Sequence, residues 1–159
     1  MAGKISAGLL MYCFRDGELH VLLVHPGGPY FKSKDAGYWT IPKGEPGENE
    51  ELLATAIREF EEEIGIKPAG EFIPLDWVKQ KGGKTVYAWA FQGDYDSPPP
   101  LKSNLFEIEW PPRSGKKQQF PEIDKAEFFP AERAKQVINK AQVAFIERLE
   151  KLRFSRAVC

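Results

Sequence analysis

Cysteine is scarce. The 159-residue chain has two, Cys13 and Cys159, with no CxxC pair and no Cys/His spacing of a zinc site. A disulfide-stapled scaffold is excluded, and Cys13, inside an apolar run, reads as a buried thiol. Histidine is equally scarce, at two residues, so zinc is not expected. No apolar run approaches the length that spans a bilayer. The N-terminus lacks the apolar segment of a secretory leader. No membrane partner is therefore expected, and a reducing, cytoplasmic setting is. No Walker-type glycine–lysine loop occurs, and there is no internal repeat or low-complexity segment.

What is present suits one domain spanning residues 1–159. Hydrophobic residues make up 42% and charged residues 28%, enough for a packed core under a charged surface. The formal net charge is only −1, but it is unevenly placed. Residues 44–66 hold eight acids and one base, Arg58, while the rest of the chain carries a net +6.

That acidic stretch, Gly44 to Ile66, reads as a helix with two incompatible faces. Leu53, Ala56, Ile57, Phe60 and Ile64 form an apolar stripe at helical spacing. Glu59, Glu62 and Glu63, at i, i+3 and i+4, share another face. Carboxylates at the C-terminal end oppose the helix dipole and repel one another by about 0.2–0.5 kcal/mol per pair. A solvated acidic face is one reading. A hard divalent cation is the other, because Mg²⁺ takes a few carboxylates and completes its shell with water and phosphate. Asn49 is the expected N-cap and Gly65 the C-terminal glycine.

The spacing of this stretch resembles the signature of the Nudix hydrolases. Gly44, Glu50, Arg58-Glu59, Glu62-Glu63 and Gly65-Ile66 match its fixed positions, and Phe60 stands where the pattern has an aliphatic residue. The preceding WTIPKG and the later KTVYAWAFQGDYD are similar to the corresponding runs of the family's diadenosine polyphosphate hydrolases.

Around the signature, strands are expected at Ile5–Phe14, Leu19–His25, Tyr38–Ile41, Phe72–Gln80, Thr85–Phe91, Phe106–Trp110 and Lys125–Phe129. Asp16-Gly17 and Gly82-Gly83 mark hairpins. Ser97–Pro100 reads as a stiff connection. His25–Gly37 and Pro111–Phe120 read as long loops rich in aromatics or bases, a type that often carries function. Pro130 opens a helical region expected as two helices, 131–138 and 140–153, divided by a capping box at Asn139–Gln142. Ala141, Phe145, Leu149 and Leu152 form the second helix's apolar stripe. Strands before and after a central helix suit an α/β protein with a mixed sheet between helical layers. The resemblance selects the Nudix-like three-layer α/β/α sandwich.

The resemblance also implies a chemistry. A Mg²⁺-dependent pyrophosphohydrolase, with Mn²⁺ as the alternative ion, would cleave a phosphoanhydride in a nucleoside polyphosphate such as a diadenosine polyphosphate or a nucleoside triphosphate. A Nudix-fold binding module without catalysis and an ADP-ribose or nucleotide-sugar pyrophosphatase are the alternatives. Glu59, Glu62, Glu63 and the backbone of Gly44 would bind metal, with Arg58 and Glu50 orienting them. Lys43 is a candidate phosphate contact or a solvated lysine. Tyr87 is a candidate base-stacking residue or a core aromatic. His25 is a candidate substrate contact or a structural hydrogen-bonder. Glu122 is a candidate further metal ligand or base from a loop, or a solvated acid. The partner expected is a small nucleoside polyphosphate rather than a nucleic acid, and the sequence sets no oligomeric state.

Overall fold

The computed structural model describes residues 4–94 and 105–152. Eleven elements of sheet and α-helix follow in order: β1 (Ile5–Arg15), β2 (Glu18–Pro26), β3 (Lys43–Gly44), α1 (Leu52–Ile64), β4 (Ile73–Lys79), β5 (Thr85–Gln92), β6 (Leu105–Glu109), β7 (Lys117–Pro121), β8 (Ile123–Pro130), α2 (Ala131–Val137) and α3 (Val143–Lys151). The main sheet runs β4-β5-β1-β2-β8, with β3 on β1. Among the described strands of this sheet, β1 and β5 pair in parallel and the other pairs are antiparallel.

β1 explains the layering. Its side chains alternate faces, and both faces are apolar. Ala7, Leu9 and Met11 join Leu22, Val24 and Phe91 under Ala56, Phe60 and Ile64 of α1. Leu10 and Tyr12 join Val21, Leu23, Val86, Ala88 and Ala90 under Ala131, Ala134, Phe145, Ile146 and Leu149. The sheet thus lies between α1 on one side and α2 and α3 on the other, an α/β/α sandwich with a mixed sheet. Phe60 is fully buried and meets the edge of Phe91 at 5.1 Å, a burial worth about 1.5–3 kcal/mol. Among the described residues, no helix is long and apolar enough to cross a membrane.

One irregularity positions the site. β1 pairs with β2 from Tyr12 to Arg15. Towards Ile5, the segment 40–44 occupies that edge instead. Thr40 bridges Val24, and Lys43 and Gly44 pair with Gly8 and Ala7. Gly8 must be a glycine here, because a Cβ would stand 2.4 Å from the Pro42 carbonyl oxygen.

Several expectations are corrected. Tyr38–Ile41 is no regular strand; Trp39 and Thr40 make only isolated bridges, since this segment is held partly by the Val137 carbonyl. Asn49 does not cap α1. It sits at φ 59°, and the N-cap is Glu51, without a side-chain bond, because the loop before it is organised by Glu50 instead. The stretch 117–121 within the expected loop is β7, paired with β6 apart from the main sheet. The capping box is half realised: Asn139 accepts from the Ala141 N–H at 2.9 Å, but Gln142 is buried and bonded elsewhere. Residues 140–142 form a 3-10 turn, and α3 starts only at Val143. Gly65 ends α1 in the left-handed conformation as expected, its N–H donating to Glu61. Ser97–Pro100 lies outside the described residues.

Candidate active site

The entrance to α1 is a knot around Glu50 and Arg58. Arg58 Nε donates to Glu50 Oε2 at 2.9 Å and Nη2 to Oε1 at 2.9 Å, a bidentate pairing. Glu50 Oε1 also accepts from the Gly47 N–H at 2.9 Å and from the Thr55 hydroxyl at 2.8 Å. These donors hold the Glu50 carboxyl down to about 2, with the Arg58 hydrogen bonds the largest cause. Arg58 reaches on with Nη1 to Glu59 at 2.9 Å and to both oxygens of Glu62 at 3.3 Å. Its Nη2 donates to the Glu45 carbonyl at 3.2 Å. One guanidinium therefore fixes the incoming loop and orients two of the three acids.

Gly44 sits against the third element of this arrangement. A Cβ there would lie 2.1 Å from the Glu59 carboxyl carbon, so only glycine lets β3 pass so close to Glu59. The β1 register carries the row onward, with Gly44 beside Ala7 and Ala7 beside Tyr87.

The exit of α1 is the reverse of its entrance. Glu63 is 5% exposed, not on an open face as its spacing suggested. Its Oε2 is, among the described residues, the buried side-chain polar atom left without a hydrogen-bond partner. Such an atom costs about 1–3 kcal/mol or more if nothing satisfies it. Burial pushes the Glu63 carboxyl up to about 8, with Glu59 and Glu122 adding repulsion. Glu59 is also pushed up, first by burial, against the pull of Arg58.

The loop acid Glu122 is thus brought to the helix from between β7 and β8. Its neighbours Glu107 and Glu109 are exposed on β6, and Glu107 faces Lys117 at 3.9 Å. A narrow cleft of about 160 Å³ is lined by Glu63, Glu122, Lys43, Thr40, Val24 and Pro26, among others. Lys43 is half-buried, and its ammonium is pushed down to about 8 by burial and by Lys84. A larger hollow of about 650 Å³ near Phe14, Leu19 and Leu149 lies away from these acids. The cleft is the smaller of the two, but it holds the convergent titratable groups that mark a reactive site.

His25 does not reach the cleft. It is fully buried, and both ring nitrogens are engaged by protein atoms of Asp124 and Lys34. Of the two readings of His25, these contacts support the structural hydrogen-bonder. Tyr87 is half-buried on β5, on the face turned towards α1.

The donor set fits a hard divalent cation. The carboxylates of Glu59, Glu62 and Glu122 lie close enough to Glu63 to raise its proton affinity, and one buried oxygen is unsatisfied. Among the described residues, no group of three or more acids, histidines or cysteines already stands placed to hold a metal ion. Glu59 and Glu62 lean instead on Arg58. An open, all-oxygen set suits an ion that keeps water and phosphate in its shell better than zinc.

Sequence reasoning missed three supporting residues. Thr55 is buried under Glu50. Gln142 is buried and ties Thr40, the Ile41 N–H and Gln80 together from α3's end of the fold. Asp124 pairs with His25. The sequence gives no signal for Thr55. Gln142 could have been suspected as a polar residue on the apolar side of a helix start.

Residues 5–149 match the NUDIX domain. A stretch of 68 residues is 41% identical to the asymmetrical bis(5'-nucleosyl)-tetraphosphatase of Rattus norvegicus, covering 37% of this chain and 45% of the rat protein. A stretch of 28 residues is 75% identical to the mRNA-decapping protein g5R of African swine fever virus, covering 18% of this chain and 11% of the viral protein. The matches thus span less than half of each of these relatives. The fold is similar to that of the Ap4A hydrolase of C. elegans, with TM-score 0.64 and 19% identity over 92% of this chain and 95% of that one. It is equally similar to the NUDIX domain of Shewanella oneidensis NrtR complexed with ADP ribose, with TM-score 0.64 and 17% identity over 95% and 88%.

Proposed function

The chain belongs to the NUDIX family, and from that premise we propose that it is a divalent-metal-dependent pyrophosphohydrolase acting on a nucleoside polyphosphate. The observation that carries the reading is the buried, unpartnered Oε2 of Glu63 beside Glu59 and Glu122. A purely structural helix has no use for such an atom. Glu59, Glu62, Glu63 and Glu122 would hold Mg²⁺ or Mn²⁺, with the Gly44 backbone beside them. When bound, the ion would neutralise phosphate charge and lower the pKa of a water.

The chain's own residues do the rest. Arg58, anchored by Glu50, orients Glu59 and Glu62. Lys43, half-buried at the cleft, would meet a phosphate oxygen of the substrate. A phosphate there would also stabilise its charged form. Tyr87 would offer its ring to a base. Water adds to one phosphorus as that atom's bond to the bridging oxygen breaks; the other phosphate leaves with the bridging oxygen, and the water's proton passes to a carboxylate of the cluster and on to solvent.

Dinucleoside polyphosphates are the favoured substrates. The segment WTIPKG, Tyr87 within KTVYAWAF and the similarity to the rat tetraphosphatase support this choice. A panel of diadenosine polyphosphates, nucleoside triphosphates, ADP-ribose and capped RNA, assayed with Mg²⁺ and resolved chromatographically, tests it. Diadenosine polyphosphates should show the highest kcat/KM. ADP-ribose or capped RNA at the top would overturn the substrate assignment, and undiminished turnover after chelation would overturn the mechanism.

A further inference from the structure

His25 sits where β2 leaves its regular pairing, since the register with β8 shifts between His25 and Pro26. The ring is fully buried. Its Nδ1 lies 2.9 Å from Asp124 Oδ1, and its Nε2 meets the Lys34 carbonyl oxygen. A carbonyl only accepts, so Nε2 carries a hydrogen. Nδ1, on the other side of the ring, shares a hydrogen bond with the Asp124 carboxyl. The imidazole is hydrogen-bonded at both nitrogens and joins Lys34, in the loop after β2, to Asp124, just past the turn that leads into β8.

That turn carries Glu122, two residues before Asp124. A second tie runs alongside, the Gly27 N–H donating to the Glu122 carbonyl at 2.9 Å. Gly27 leaves no room for a side chain, because a Cβ would stand 2.1 Å from the Pro121 carbonyl oxygen. The far end of the loop is fastened as well. Trp39 packs edge-on against His25 at 5.1 Å, and its Nε1 donates to Asp35 at 3.0 Å.

We propose that His25 is a positioning residue, a buried clamp that locks the Glu122 turn to the loop after β2 and so holds the Glu122 carboxylate towards the glutamates of α1. The proposal rests on the reading of Glu122 as a metal ligand. Glu122 needs such a device. It is exposed, lies between two strands of different sheets, and stands among carboxylates that repel it. An unclamped turn would relax away from that charge.

A double-mutant cycle tests it. His25→Gln keeps a donor near Nε2, and His25→Asn keeps one near Nδ1, so each retains half of the clamp. His20→Gln, at an exposed histidine bond to Glu18, is the control. The readouts are cooperative melting, hydrogen exchange at the Gly27 amide in the metal-free protein, Mn²⁺ affinity by calorimetry, and kcat with KM. Both His25 variants should melt cooperatively, exchange Gly27 faster, and bind Mn²⁺ about 10–100-fold more weakly, the usual cost of losing groups that orient metal ligands. The kcat should fall in step while KM stays within about twofold. In a Glu122→Gln background, His25→Gln should add nothing. If its effect multiplies instead, His25 does not act through Glu122 and the clamp is refuted. If Glu122→Gln alone leaves Mn²⁺ affinity unchanged, the reading of Glu122 fails, and the clamp loses its purpose with it. Should the His25 variants not melt cooperatively, Asp124→Ala, at the half-buried side of the pair, carries the same cycle with the same two outcomes.

Discussion

At the entrance to α1, Glu50 accepts hydrogen bonds from Arg58, Gly47 and Thr55 and is held ionised down to about 2. At the exit, Glu63 is buried with one oxygen unpartnered and keeps its proton up to about 8. The side chain is the same, and the surroundings decide its state. Donors stabilise the charged form at Glu50, while burial and neighbouring acids disfavour it at Glu63. A carboxylate with all its needs met is a strut. One left buried and unmet, among others of its kind, is what the proposed cation would satisfy.

The largest effect should come from the acids on the cation side. Glu62→Gln keeps the shape, removes a ligand charge and eases helix repulsion. It should lower kcat by more than about a hundredfold, beyond what loss of an outer-shell partner costs, while the melting temperature holds or rises. Near wild-type kcat would remove Glu62 from the metal's ligands.

Glu122→Gln should follow, lowering kcat more than about tenfold, or about 1.4 kcal/mol of barrier. Glu107→Gln, on exposed β6 opposite Lys117, should change kcat little. Reversed outcomes would mean that the site is completed from the strand rather than from the turn.

The smaller effects are on stability, and their pH dependences have opposite signs. Glu50 has a depressed folded pKa, so its stabilisation is present above about 4.5 and is lost as pH falls towards about 2. Glu63 has a raised one. The metal-free folded state binds more protons there than the unfolded state, so stability is lost as pH rises from about 4.5 through about 8. Melting curves in chelator should show Glu63→Gln more stable than wild type at pH 9 and equal to it near pH 4. Glu50→Gln should be less stable than wild type at neutral pH, with the gap closing near pH 2. Parallel curves for the two variants would erase the contrast.

Much of this was legible in the chain. β1 could be read because both its faces are apolar, the first hairpin because Asp16-Gly17 supplies positive φ, and the end of α1 because Gly65 does. Helical spacing placed Glu59, Glu62 and Glu63 on one side of α1, but spacing reports direction and not depth, so the burial of Glu63 was hidden. Depth depends on β3 and the Glu122 turn, which arrive from distant positions. β7 was missed because Lys117-Gln118-Gln119 is polar on both faces, which a two-stranded ribbon outside the main sheet tolerates. Asn49 misled because good cap residues are also good loop residues. His25 stayed open between two readings because a histidine at a strand end gives no sign of which partners will enclose it.

The central claim is that the exit of α1 takes up a divalent cation in place of the proton on Glu63. Calorimetric titration of Mn²⁺ into chelator-treated protein at pH 7, repeated in buffers of different ionisation enthalpy, tests it directly. Binding should release about one proton, because a carboxyl titrating near 8 is mostly protonated at that pH and must lose its proton to ligate. In Glu63→Gln the proton release should vanish and the affinity should fall. Binding with no proton release, or with affinity unchanged in Glu63→Gln, would contradict the account.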